Sequence, residues 1–298
     1  MFKIRNRLSP QMPLPTPQAQ AYEECVLGWS SRDYPQLRAA KDIAYGTHPA
    51  QRYDVYGAEH MADAPIVVFL HGGGWTNGYK EYAAFMAPSV VAAGCVLVTP
   101  GYRLAPEHPL PAAFDDGIAL LRSLAATRPA WAGNARRVIL AGHSAGGHLA
   151  ALLALRPDAL HAAGVDPRIV AGCMPVSGIF DLHHPQPAPG SLEARVYEMV
   201  LGPDTDDARM SPLCWVRGNT VPMALTYGEH DSDRVVLSNR RMASLLALQP
   251  AAVSCEVERA ADHFATHTML ERATHPWYAR LAALAHDSAS PCAPRIHS

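Results

Sequence analysis

Apolar and polar positions alternate between two periods from residue 42 onward. "APIVVFL" (64–70) and "CVLVTP" (95–100) are β-branched runs that end at glycine or proline, the pattern of strands buried on both faces. Residues 79–93 between them have helical spacing. "AAFDDGIALLRSLAA" (112–126) repeats apolar side chains at i, i+3/i+4, which predicts a second helix. The alternation continues as strand 137–141, helix 145–155, strands 169–176 and 222–227, helix 234–248, strand 252–257 and a closing helix near 274–286. Upstream, "DIAYG" (42–46) and "RYDVYG" (52–57) predict a hairpin. This order specifies an α/β protein with a mostly parallel central sheet and helices on both faces.

Two stretches depart from that rhythm. Residues 178–220 are rich in Pro, His and Asp, with one short helical piece (191–201), and are expected to form a small cap inserted into a catalytic domain spanning 41–298. Residues 1–40 are rich in Pro and Gln and carry Tyr22, Trp29 and Tyr34 as anchors. They are expected to form an arm packed over the site.

Composition narrows the function classes. The 298 residues are 49% hydrophobic and 17% charged with a formal net charge of −2, enough apolar material for a sizeable core. No block of like charge marks a surface for nucleic acid or anionic membrane, so a compact small molecule is the expected partner. Cys25, Cys95, Cys173, Cys214, Cys255 and Cys292 stand singly, without a C-x-x-C pair, as reduced thiols of a cytoplasmic protein would. The N-terminus lacks the apolar core, about 7–15 residues long, of a signal peptide. No window reaches the ~18 apolar residues of a membrane span. A homodimer is compatible with the chain but not specified by it.

Chemistry concentrates in "VILAGHSAGGHLA" (138–150), where Gly142-His143-Ser144-Ala145-Gly146 fits G-x-S-x-G between a predicted strand and a predicted helix. Such a turn holds the serine in a strained conformation, pushes its hydroxyl above the sheet and sets it at a helix N-terminus. The bland alternative is a glycine-rich turn with an incidental serine. A serine hydroxyl needs a base and an orienting carboxylate, expected downstream in the order Ser…Asp…His. Asp231 follows an apolar strand and a Gly turn, with Asp233 as the runner-up. His263 lies between the last strand and the last helix, with His267 as its alternative. "VVFLHGGGW" (67–75) ends a strand in three glycines whose bare backbone amides can meet a developing oxyanion; Gly73, Gly74 and the Ala145 amide are the expected donors. The loop lacks the Lys-Ser/Thr ending of a phosphate-binding loop, and the scattered histidine pairs lack a matched third ligand, so no metal or organic cofactor is expected. In "YRLAPEHPLP" (102–111), Arg103 and Glu107 are expected to pair. Trp75 reads equally as a packing residue or an aromatic wall.

"HGGGW", "GYRLAPEHPLPA" and "GHSAGGHLA" resemble the α/β-hydrolase fold in its hormone-sensitive-lipase-like and arylformamidase branches, over about residues 42–285. "HGGGWTNGYK", "VSGIFDL", "SPLCW", "GEHDSDRVVLSNRRMAS" and "DHFATHTML" are similar to arylformamidases, which hydrolyse N-formylkynurenine. The resemblance assigns the triad aspartate to Asp231 and the triad histidine to His263, and the oxyanion hole to Gly73, Gly74 and Ala145. It implies a serine hydrolase acting on a small aryl formamide, amide or ester; by their positions, Trp75, His143, Phe180 and Trp215 are expected to line the substrate pocket. A short-acyl carboxylesterase and a non-catalytic ligand receptor on the same fold are the alternatives. Three departures leave the substrate open: Gly74 stands where formamidases commonly carry an aromatic, "RLAPEHPLP" belongs to the lipase-like branch, and His143 replaces that branch's usual Asp.

Overall fold

A computed structural model describes residues 8–203 and 205–287. Eight strands form one sheet: β1 (Arg38–Ala44), β2 (Arg52–Gly57), β3 (Pro65–Leu70), β4 (Val96–Pro100), β5 (Asn134–His143), β6 (Val170–Val176), β7 (Met223–His230) and β8 (Val253–Asp262). Their spatial order is β1-β2-β4-β3-β5-β6-β7-β8. β1 and β2 run antiparallel to each other, β2 runs antiparallel to β4, and every pair from β4 through β8 is parallel.

The helices are α1 (Pro17–Ser30), α2 (Ala87–Ala92), α3 (Leu110–Thr127), α4 (Ala145–Ala154), α5 (Pro157–Ala162), α6 (Leu192–Arg195), α7 (Asp207–Met210), α8 (Asp233–Leu246), α9 (Ala265–Thr268) and α10 (Pro276–Asp287). Strand residues alternate between the two faces of the sheet. Ile66, Val68 and Leu70 of β3 therefore join a core with α3 and α4, whereas Val67 and Phe69 join another with α1, α2 and α10. All six residues of β3 are buried, which explains its unbroken apolar run.

The strands expected over 137–141 and 252–257 are longer, as β5 (Asn134–His143) and β8 (Val253–Asp262), and two further element predictions shift. The helix expected over 79–93 divides into a 3₁₀ segment, Lys80–Met86, and α2. Pro88 has no amide proton to bond back to Ala84, so a continuous α-helix would lose a rung there, whereas the first turn of a new helix tolerates proline. β1 begins at Arg38 rather than Asp42; its ladder is interrupted between Ala40 and Ile43, where Asp42 has φ of 58°. This edge strand is mostly exposed and carries no apolar alternation to announce it.

The 178–220 segment joins β6 to β7 and contains α6 running into a single π turn (Val196–Val200), α7 and a 3₁₀ turn (Pro212–Trp215). The segment closes on itself where Leu213 N–H meets the Phe180 carbonyl at 2.9 Å and Leu182 N–H meets Ser211 Oγ at 2.8 Å, and α8 ties it to the body where Ser238 Oγ accepts from Phe180 N–H at 2.7 Å and Asn239 Nδ2 donates to the Gly178 carbonyl at 2.9 Å. The arm runs beside the glycine loop. Gln11 bonds both the amide and the carbonyl of Gly78, each at 2.7 Å, and Asn77 Nδ2 donates to the Met12 carbonyl at 2.6 Å. α1 follows, capped by the Thr16 side chain with Pro17 in its first turn.

The five described cysteines are free thiols, and Cys292 lies outside the described residues. Among the described residues no helix is long and apolar enough to cross a membrane.

Candidate active site

β5 is paired on both sides, to β3 and β6, and ends where Ser144 turns the chain into α4. Ser144 adopts φ 56°, ψ −118°, a conformation that residues with a side chain rarely take. Its amide donates to the Val176 carbonyl at 2.9 Å, so the turn is bolted to the end of β6. The flanking glycines are required by space. A Cβ on Gly142 would meet the Gly146 carbonyl group, and one on Gly146 would run into the carbonyl oxygens of Leu70 and His71. Both obstacles are backbone and cannot rotate away. Gly146→Ala is accordingly expected to destabilise the fold by about 3 kcal/mol, read as a shifted urea midpoint. Gly164→Ala, where nothing lies within 4 Å and only a φ of 76° opposes a side chain, should cost about 1 kcal/mol.

The structure brings Ser144, His263 and Asp231 together. His263 Nε2 lies 2.8 Å from Ser144 Oγ, and its Nδ1 lies 2.6 Å from Asp231 Oδ1. An ionised carboxylate only accepts, so the proton sits on Nδ1 and Nε2 presents a bare lone pair to the serine hydroxyl. Asp231 is buried at the end of β7. Burial alone would raise its pKa, but the hydrogen bond and charge of His263, the Ser177 hydroxyl and the Gly228 amide outweigh burial and hold it below the usual value. Asp233 instead lies exposed in the first turn of α8, and His267 is fully buried with its Nδ1 2.7 Å from the Tyr22 hydroxyl, so neither alternative reaches the serine.

The glycine loop adopts the backbone that its sequence suggests. Gly73 has φ 128° and Gly74 φ 61°, and the Gly73 carbonyl accepts from the amides of Thr76 and Asn77. Gly72, which the sequence reading passed over, lies against Ser144. A Cβ there would sit 3.2 Å from Ser144 Cβ and 3.0 Å from the His143 carbonyl oxygen. Ala145 opens α4, where the first-turn amides have no intrahelical acceptor.

Ser177 and Thr266 were also missed. Ser177 Oγ donates to Asp231 Oδ2 at 2.6 Å, and Thr266 Oγ1 lies 2.8 Å from Ser177 Oγ and 2.8 Å from the His263 carbonyl. The available signal was position: Ser177 directly follows β6 at the same sheet edge as the other loops.

The four residues expected to line a substrate pocket do not form an open wall. Trp75 is buried, and its Nε1–H donates to His148 Nδ1 at 3.3 Å while His148 Nε2–H donates to the Met210 carbonyl at 2.6 Å. This bridge ties the glycine loop to the 178–220 segment. Burial lowers the His148 pKa to about 4, which keeps the ring in the neutral form the bridge requires. His143 is 1% exposed and donates its Nε2–H to the His263 carbonyl at 2.8 Å, so it supports the His263 backbone from behind. Phe180 is 0% exposed within the core. Trp215 carries the Arg156 guanidinium 3.8 Å from its ring centroid, beyond the far end of α4, about 15 Å along the helix from Ser144. Arg103 is also corrected: it forms a two-pronged ion pair with the buried Asp116, at 2.6 and 2.9 Å, because α3 presents that carboxylate while Glu107 faces solvent.

A cavity of about 520 Å³ lies beside the glycine loop, lined by residues 8–12 of the arm and by His71, Thr76, Tyr79 and residues 104–108, without Ser144 or His263. Among the described residues no cluster of three or more His, Cys, Asp or Glu is arranged to hold a metal.

Carboxylesterase NlhH of Mycobacterium tuberculosis is 41% identical over 91 residues, 30% of this chain and 28% of that protein. Kynurenine formamidase of Danio rerio is 34% identical over 142 residues, 47% of this chain and 46% of that protein. The aligned segments thus span less than half the length of these curated relatives. The solved Pyrobaculum calidifontis esterase superposes with a TM-score of 0.72 at 19% identity, covering 97% of this chain and 98% of that one. EstE1, a carboxylesterase cloned from a metagenomic library, does so with 0.73 at 21% identity, covering 93% and 98%. At such identities the likeness is one of fold. A family profile described as alpha/beta hydrolase fold matches residues 67–268, from the third residue of β3 through the end of α9. With more than half of the chain covered by that match, the protein belongs to the alpha/beta-hydrolase-fold family.

Proposed function

We propose that the protein is a serine hydrolase that cleaves a small acyl or formyl group from an aryl amide or ester, of the N-formylkynurenine type, through an acyl-enzyme intermediate. The observation that carries this reading is the continuous chain Ser144 Oγ–His263–Asp231, with the serine in a strained turn at a helix N-terminus. His263 removes the Ser144 proton as Oγ attacks the carbonyl carbon. Asp231 stabilises the imidazolium that forms, and the Gly73, Gly74 and Ala145 amides receive the oxyanion. His263 then protonates the leaving amine or alcohol, and water repeats the sequence on the acyl-enzyme. The aryl formamide is supported by the kynurenine formamidase relative, whose matched segment is 142 residues. A short-acyl carboxylesterase is the second reading, supported by the 41% identical segment of Carboxylesterase NlhH.

Hydrolysis of N-formyl-L-kynurenine and p-nitrophenyl acetate, each with wild type and Ser144→Ala, separates them. The formamidase reading expects a kcat/KM on the formamide of at least ~10⁴ M⁻¹s⁻¹. Turnover of the ester alone, still dependent on Ser144, leaves the carboxylesterase. If a fluorophosphonate fails to label the folded protein, both fall and a ligand receptor replaces them.

A further inference from the structure

Behind the Asp231–His263 pair lies a closed ring of hydrogen bonds to which the proposed reaction assigns no work. Asp231 Oδ1 accepts from the His263 ring at 2.6 Å and Oδ2 from the Ser177 hydroxyl at 2.6 Å. Ser177 Oγ meets Thr266 Oγ1 at 2.8 Å, and Thr266 Oγ1 lies 2.8 Å from the backbone carbonyl of His263 itself. The ring joins three loops that leave the sheet from different strands, those after β6, β7 and β8. Its members are out of water: Ser177 is 0% and Thr266 1% exposed.

A proton count shows how the ring is ordered. Three oxygen–oxygen contacts share two hydroxyl protons. The carboxylate can only accept, so the Ser177 proton is committed to Asp231. The Thr266 proton is then divided between Ser177 Oγ and the His263 carbonyl, the second of which also accepts from His143 Nε2–H. Ser177 further adopts φ of 48°. A non-glycine residue held there in a buried turn is a strained choice, which points to a use for the side chain.

We infer that Ser177 and Thr266 are positioning residues: they touch no reacting atom, yet fix the Asp231 carboxylate and the His263 backbone to each other, so that the imidazole is held in one tautomer and aimed at Ser144. The inference rests on the serine-hydrolase reading for its kinetic consequence but not for its structural one. Without the Ser177 hydroxyl, Oδ2 retains only the Gly228 amide, at 2.9 Å, and the carboxylate is free to rotate. Without the Thr266 hydroxyl, the His263 carbonyl is held by His143 alone.

The test uses the full chain with Ser177→Gly, Thr266→Val and Thr266→Ser. Glycine accepts the positive φ, so Ser177→Gly removes the hydroxyl without adding strain. Kinetics on p-nitrophenyl acetate should show kcat lowered about tenfold in Ser177→Gly and Thr266→Val, with KM within about twofold and Tm nearly unchanged; Thr266→Ser should restore most of kcat. In parallel, the far-downfield proton NMR signal of His263 Nδ1–H, assigned by its loss in His263→Ala, should be present in wild type and Thr266→Ser but broadened by exchange in the other two. Wild-type kcat in Ser177→Gly overturns the proposal, as does loss of kcat only in proportion to lost folded protein. If the wild type hydrolyses nothing, the functional reading fails and the NMR signal alone decides the positioning: its persistence unchanged in Ser177→Gly overturns the proposal.

Discussion

Ser144→Ala is expected to lower kcat on any substrate the protein turns over by at least about 10⁴-fold while leaving the fold intact. The alanine keeps a Cβ at φ 56°, ψ −118°, so it inherits the strain of the native turn and packs as the serine does. What disappears is the hydroxyl oxygen 2.8 Å from His263 Nε2, to which the proposed reaction assigns the acyl-enzyme. Ser144→Gly sharpens the experiment. Glycine adopts the same backbone angles freely, so this inactive variant should be more stable than wild type by about 1 kcal/mol, seen as a higher urea midpoint. Loss of activity with a gain in stability would show that the strain at Ser144 serves the reaction and not the fold. An Ser144→Ala enzyme with substantial residual kcat would place the nucleophile elsewhere.

Asp231→Asn is expected to cost nearly as much, about 10⁴-fold in kcat, for a different reason. In the native site Oδ2 receives the Ser177 hydroxyl at 2.6 Å and the Gly228 amide at 2.9 Å, both donors. An asparagine must turn its carbonyl oxygen toward those two and its NH₂ toward His263. The imidazole then has to accept at Nδ1, which moves its proton to Nε2 and aims a donor at Ser144 in place of a base. The loss is therefore one of tautomer, and KM should change little. Against the burial that would raise its pKa, His263 first, and then these two donors, hold Asp231 ionised below the usual carboxylate range. Since its folded pKa is depressed, the stability it contributes is present above the unfolded value of about 3.9 and is lost as pH falls through the folded value. Asp231→Asn should accordingly flatten part of the acid unfolding curve while leaving stability at neutral pH lowered.

The candidate site was legible wherever chemistry is encoded locally or by chain order. G-x-S-x-G between a strand and a helix needs only thirteen residues to be recognised, and its glycines answer to contacts with Leu70 and His71 that any such turn must make. Asp231 and His263 could be proposed because parallel strands deliver every following loop to one edge of the sheet, so two residues just past β7 and β8 are neighbours of one just past β5. Side-chain direction was not legible. Trp75, His143 and Phe180 stand beside the motifs and read as walls of a pocket, yet each is turned inward, and Trp215 serves a cation at the far end of α4.

Hydrophobic periodicity thus carried the architecture and the G-x-S-x-G motif the serine turn, because hydrophobic spacing and glycine geometry are properties of short segments, while the order of the partners came with the motif and the family resemblance. Tertiary structure alone decided that Arg103 pairs with Asp116 and not Glu107, that Gly72 lies against Ser144, and that Ser177 and Thr266 close a ring behind Asp231. Each of those contacts depends on how far one strand slides against the next and on which face a helix presents. Such placements are settled to within an ångström by the packing of the whole core, and no run of neighbouring residues contains them.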